Sequence, residues 1–350
     1  MNGKKYLYVY RMIKDKITQG EYRAGDKLPS KRVTADKTGC SVITVEKAYN
    51  MLSDEGYIIS KQRSGYFVCE LDTFFTDNTA PCRTGFTPLD ENESSHQSHD
   101  FEYSLWFKTI RRVISEKGDR LFVKSPNKGC AVLRNAIADY LLRYRGMLAE
   151  PERIIIGSGS EQLYETVVKI LGRDKVYGIE NPSYSQIEAV YRSEGARIEK
   201  LRMGADGIES SALKSADIDV LHVTPFRSYP TGVTTSVTKR CEYLKWAEQG
   251  NYIIEDDFNS EFFIPGQPIE SLYSLDNREC VIYINTFSKS LSPSMRMGYM
   301  ILPGSLMPLY NERLGNFSCS VPVLDQYVLA EFISSGNFER HLNRIRRKMK

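Results

Sequence analysis

The chain has 350 residues, 41% of them apolar, with 47 Lys plus Arg against 44 Asp plus Glu. That is ordinary globular composition, long enough for more than one domain, and no apolar run of about 18 residues offers a membrane span. Seven scattered cysteines (40, 69, 82, 130, 241, 280, 319) form no CxxC pair, the four histidines are dispersed, and no signal-type stretch follows Met1–Tyr6. These features argue against a disulfide frame, a metal cluster and export, and predict a cytoplasmic protein with free thiols. The net charge of +3 is unevenly spread: residues 1–69 carry 13 basic and 7 acidic side chains, whereas residues 70–100 carry 1 and 7.

The basic head, residues 1–70, reads as three helices and a hairpin. Tyr6, Tyr10, Ile13 and Ile17 recur at helical spacing, and Gly20 closes that helix. Ser30 is placed to cap a short helix over 31–37, and Thr38-Gly39-Cys40 is a tight turn. Ser41 is placed to cap a second helix with its apolar stripe at Val42, Val45, Ala48, Tyr49 and Leu52. Two β-prone runs, 57–60 and 66–68, flank a polar turn at Lys61–Gly65. Helix-turn-helix plus hairpin is a winged helix, and its second helix fits the major groove of DNA. Lys31, Arg32, Lys47, Lys61 and Arg63 are the candidate phosphate contacts, with Ser41 and Thr44 at the helix start and Gly65 letting the wing approach closely.

Residues 71–100 are acidic and aperiodic, so they read as a linker whose charge keeps it off DNA. From Phe101 to Lys350, short apolar runs alternate with helical patterns. Helices are expected over 105–117, 132–144 and 161–171, and strands over 153–156, 175–179, 220–224, 252–257 and 281–285. This predicts an α/β body with a mostly parallel sheet covered by helices. Ligands of such sheets bind beyond the carboxyl ends of the strands, where each distinctive loop falls.

Those loops together describe one ligand. Gly159-Ser160-Glu161 opens a helix after a strand, a setting for phosphate. Lys289 follows a strand and is a candidate Schiff-base amine, while Thr286, Ser288 and Arg296 are candidate phosphate donors. Asp256 ends a strand and can face a pyridinium nitrogen; Tyr184 offers a ring for stacking. Aldehyde, phosphate, pyridinium and flat ring specify pyridoxal phosphate. No separate catalytic residue is assigned beyond the Schiff-base lysine, Lys289.

The head's runs Gly25-Asp26-Lys27-Leu28-Pro29-Ser30-Lys31-Arg32, Thr44–Tyr49 and Leu52–Tyr57 resemble the winged helix of GntR-type bacterial regulators. Relatives often carry Arg where Val42 stands. The order of loops in the body resembles fold-type-I aminotransferases, and Tyr229-Pro230-Thr231-Gly232 with Glu255–Phe262 resembles the MocR subgroup of GntR regulators. By that resemblance Lys289, Asp256, Tyr184, Ser160, the Glu161 backbone, Thr286, Ser288 and Arg296 hold the cofactor. Tyr229 stands where the enzymes usually have an Asn toward the cofactor's phenolic oxygen. Asn259 and Phe258 stand where relatives place a Tyr. These departures imply kept cofactor binding and weakened turnover.

The resemblance implies a homodimeric, DNA-binding transcriptional regulator that senses an amino compound or the cofactor itself. The competing readings are a working aminotransferase with a DNA-binding head, and a body serving only as a dimerisation scaffold. Family bodies continue into a small C-terminal domain bearing an Arg for a substrate carboxylate, so a C-terminally truncated chain is expected here.

Overall fold

The computed structural model describes residues 5–61, 64–69, 101, 103–262 and 270–348. The linker expected over 71–100 therefore lies outside the described residues, as does Arg63. The chain divides into two compact units, Met1–Glu93 and Ser94–Lys350.

The first unit packs α1 (Lys5–Thr18), α2 (Lys31–Thr38) and α3 (Val42–Asp54) with the strands β1 (Ile58–Lys61) and β2 (Gly65–Val68). Both caps form as their sequence demands: Ser30 Oγ accepts from the Val33 amide, and Ser41 Oγ from the Thr44 amide. The turn between α2 and α3 needs a left-handed residue and has Gly39 at φ 63°. Val9, Ile13, Val45, Ala48, Tyr49, Leu52 and Ile58 close the core. Each large apolar side chain buried there contributes about 1.5–3 kcal/mol. The antiparallel wing is longer than the sequence predicts: Lys61 pairs with Gly65, so both belong to strands rather than to the turn. The ladder's reach decides this, because cross-strand partners hold residues whose own β-propensity is weak.

The second unit begins with α4 (Tyr103–Lys117) and α5 (Ala131–Arg145). It continues through β3 (Ile154–Gly157), α6 (Ser160–Leu171), β4 (Val176–Asn181), α7 (Ser185–Ser193), β5 (Arg197–Arg202) and α8 (Ser210–Ser215). Next come β6 (Val220–Val223), α9 (Val237–Ala247), β7 (Tyr252–Asp256), α10 (Leu272–Leu275), β8 (Val281–Thr286) and β9 (Gly298–Ile301). Three helices, α11 (Met307–Leu314), α12 (Val323–Ser334) and α13 (Asn337–Lys348), complete it. The seven strands form one sheet in the order β3-β9-β8-β7-β6-β4-β5. All pairings are parallel except those of β9, which runs antiparallel to both neighbours.

Two strands escape the sequence pattern. β9 has only four residues, and its Gly-Tyr-Met-Ile run has no alternation. β5 is an edge strand of alternating charge in which only Leu201 is buried, and charge on an edge discourages further pairing. Among the described residues, no helix is long and apolar enough to cross a membrane, and no group of three or more His, Cys, Asp or Glu is placed to hold a metal ion.

Candidate functional site

The sheet register gathers the predicted loops at one end. Gly298 of β9 pairs with Gly157 at the end of β3 and with Thr286 at the end of β8. Asp256, the last residue of β7, pairs with Ile284 of β8. The segments after β3, β7 and β8 therefore leave the sheet side by side, at the carboxyl edge where α/β folds hold ligands. Gly298 allows this closeness: a Cβ there would lie 2.8 Å from the Asn285 carbonyl oxygen and 2.9 Å from Thr286 Cγ2.

At the β3 end, Gly159 adopts φ 105° and leads into α6, whose first residue is Ser160. The free amides of that helix start make an anion-binding setting. Arg296 comes from the loop after β8 and lies over it: its guanidinium is 3.5 Å from where a Gly159 Cβ would be. The same guanidinium forms an ion pair with the Glu161 carboxylate at 2.9 Å. Glu161 thus contributes its side chain as well as the backbone role that the resemblance implies. Ser288 Oγ donates to the Met295 carbonyl at 3.2 Å, tying Ser288 to the stretch just before Arg296. Thr286 is half-buried at the end of β8.

The Glu255-Asp256-Asp257 run divides by strand alternation, because successive side chains point to opposite faces. Asp256 faces α6 and β6. Tyr164 Oη donates to its carboxylate, and His222 Nε2 lies 3.7 Å away. His222 is fixed from its other side by Tyr191 Oη, 2.6 Å from Nδ1, while Nε2 is buried with no hydrogen-bond partner. Burial, reinforced by the Asp256 charge, pushes the Tyr164 phenol well above its ordinary range. It therefore stays a proton donor to the carboxylate.

Glu255 and Asp257 face the other way and serve the fold. Glu255 accepts from the Leu272 and Tyr273 amides, capping α10, and burial raises its pKa to about 7. Asp257 accepts from Tyr283 Oη at 2.7 Å and Ser260 Oγ at 2.7 Å, and pairs with Arg145 at 2.9 Å. Glu261 accepts from Asn285 Nδ2 at 2.8 Å, and burial followed by the Asp257 charge raises its carboxyl pKa.

Lys289 remains accessible to solvent. Its Nζ donates to Asn259 Oδ1 at 2.5 Å and lies over the rings of Phe258 (5.0 Å) and Phe262 (5.5 Å). Partial desolvation of the amine, followed by the charge of Arg227, lowers its pKa. Asn259, Arg227 and His222 join the candidate contacts only through the tertiary structure. Asn259 was legible only as a departure from a Tyr, and nothing local marks the other two.

Arg227 sits in the loop after β6. Its backbone is at φ 138°, which a non-glycine residue holds only at a cost of about 1–3 kcal/mol. The clamp is Glu180 at the end of β4, a buried carboxylate that accepts from the Thr224 amide (3.1 Å), Thr224 Oγ1 (2.5 Å) and Ser228 Oγ (2.6 Å). Burial raises the Glu180 pKa against these bonds. Beyond the clamp, Tyr229 packs edge-on against Tyr184, with ring centroids 6.2 Å apart. Both rings are exposed, at 60% and 45%.

In the head, Lys31 is ion-paired with Glu46, Lys47 Nζ sits 4.4 Å from the Tyr6 ring centroid, and Lys61 Nζ 4.8 Å from that of Phe67. Arg32, Ser41 and Lys47 are exposed, and Thr44 and Gly65 are half-buried. Ser41 Oγ and Thr44 Oγ1 are 2.8 Å apart and hydrogen-bonded to each other.

Residues 5–68 match the family described as bacterial regulatory proteins, gntR family, and residues 84–350 match aminotransferase class I and II. The chain is 35% identical to the uncharacterized HTH-type transcriptional regulator YdeL of Bacillus subtilis, over 98% of this chain and 76% of that one. It is 28% identical to the probable rhizopine catabolism regulatory protein MocR of Rhizobium meliloti, over 97% and 73%. Among solved structures, an archaeal alanine:glyoxylate aminotransferase superposes with a TM-score of 0.63 at 25% identity, over 69% of this chain. The chain spans 62% of that enzyme's length.

Proposed function

The chain belongs to the gntR-type regulators with an aminotransferase class I and II body, and on that premise we propose that it is a transcriptional regulator whose body binds pyridoxal phosphate at Lys289 and senses an amino compound. The observation that carries the proposal is the Lys289 amine, lowered in pKa and hydrogen-bonded to Asn259 at the carboxyl end of β8. A neutral amine is the form that attacks an aldehyde.

The donor set fits the cofactor. When bound, pyridoxal phosphate supplies an aldehyde for amines and a ring that draws electrons from the attached carbon. Asp256 offers a carboxylate to the ring nitrogen, and Tyr164 donates to that carboxylate while His222 stands behind it. Arg296 and the start of α6 offer the phosphate a cation and free amides. Tyr184 and Tyr229 offer exposed ring surface. Lys289 presents its amine, and Asn259 Oδ1 orients it.

Phe258 and Asn259 put a ring and an amide beside that amine. Neither holds an acidic proton, which supports sensing over efficient turnover. The basic head, with its capped helix-turn-helix, supports operator DNA as the macromolecular partner. A homodimer is proposed, as half-site recognition by such heads ordinarily uses two copies.

The test is to add pyridoxal phosphate to the full chain, reduce with borohydride and locate the adduct by mass spectrometry. A visible absorbance band and a reduced adduct on Lys289, both lost in Lys289→Ala, are expected. An intact chain that acquires neither would overturn the proposal in favour of a scaffold role. Rapid consumption of an amino donor by the loaded chain would favour an enzyme instead.

A further inference from the structure

The first turn of α3 exposes two adjacent branched apolar side chains, apart from the unit's other exposed apolar residues Tyr8, Val33 and Ile59. Val42 is 43% and Ile43 78% accessible. The helix already has a complete core face in Val45, Ala48, Tyr49 and Leu52, so packing within the head does not account for either. Ile43, Lys47 and Asn50 share helical spacing on the outward side, and all three are exposed.

Several polar groups near that helix start have partners within the head. Ser41 and Thr44 hydroxyls bond each other, Glu46 is held by Lys31, and the Lys47 ammonium lies over Tyr6. The helix contains no Arg, the side chain that most often reads guanine through a bidentate contact. In the major groove, the one apolar group that base pairs present is the thymine C5-methyl.

We propose that Val42 and Ile43 read thymine methyl groups, so that the head's base preference is set by thymine-bearing steps rather than by guanine. This rests on the reading that the head binds DNA in the major groove. The occupant follows from charge complementarity: the unit's 13 basic against 7 acidic side chains over residues 1–69 suit a polyanion.

The experiment uses the full chain. Sites are first selected from a random duplex pool, and each selected thymine is then replaced by deoxyuridine, which removes only the methyl. Affinity is expected to fall about fourfold per contacted methyl, the worth of one buried apolar carbon. In Ile43→Ala the uracil effect should shrink at one position while the salt dependence of binding is unchanged. Ile43→Thr, which keeps one branch methyl, should lie between. Guanine-defined sites, or binding indifferent to uracil, would overturn this inference and leave the DNA reading standing. A chain that binds no duplex even at low salt would overturn the DNA reading itself.

Discussion

Lys289 Nζ donates to Asn259 Oδ1 at 2.5 Å, across the ends of two adjacent parallel strands. An amide oxygen holds the amine without charging it. That distinction matters because partial desolvation and the Arg227 charge already favour the neutral amine.

Asn259→Asp would replace this contact by a carboxylate of nearly the same shape. The negative charge should raise the Lys289 pKa and so slow aldehyde capture at neutral pH, roughly tenfold if the ammonium gains about 1.4 kcal/mol. Capture rate against pH, followed by absorbance, should show its inflection moved upward. An unmoved profile would mean that Asn259 does not govern the amine.

Arg227→Gly tests strain and charge together. Glycine adopts φ 138° freely, so the body should gain about 1 kcal/mol in denaturant unfolding. Loss of the nearby cation should raise the Lys289 pKa. Greater stability with slower cofactor capture is the expected pair of results; lower stability would show that the arginine makes a compensating contact.

The buried carboxyls give the body a definite pH response. Unfolded, Glu255 ionises near its ordinary value of 4.5, whereas the folded body raises it to about 7. Glu261 is raised in the same direction. A raised carboxyl binds more protons in the native state, so stability from these groups falls as pH climbs from about 4.5 towards 7. Glu261→Gln keeps an acceptor for Asn285 and removes one titration. Relative to the unchanged chain its urea midpoint should rise between pH 5 and pH 7.5, by an amount equivalent to roughly 1–3 kcal/mol. A constant difference across that range would refute the assignment.

Gly298→Ala would push a methyl against the Asn285 carbonyl and Thr286. Backbone cannot yield as a flexible side chain does, so about 1–3 kcal/mol of stability should be lost. The Thr286–Lys289 segment should shift as well. Circular-dichroism melting reads the first effect and the yield of reduced Lys289 adduct the second.

Much of this molecule was written in local chemistry. The caps at Ser30 and Ser41, the left-handed Gly39 and the buried runs of β3, β6, β7 and β8 depend on neighbours a few residues away, so periodicity and turn residues reveal them. The order of Ser160, Tyr184, Asp256, Lys289 and Arg296 along the chain is likewise legible without a fold, as a pattern that resembles a cofactor site.

What only tertiary structure decided is which groups meet. The antiparallel β9 brings Gly157 and Thr286 to either side of Gly298, a relationship between residues far apart in sequence. Strand alternation within a pleated sheet sent Asp256 to Tyr164 and His222, and its two acidic neighbours into the scaffold. Asn259 on the amine, Glu161 on Arg296 and the strained Arg227 held by the Glu180 clamp arise the same way. Composition and spacing encode backbone preference, but a hydrogen bond across 30 or 135 positions exists only once packing has closed the distance.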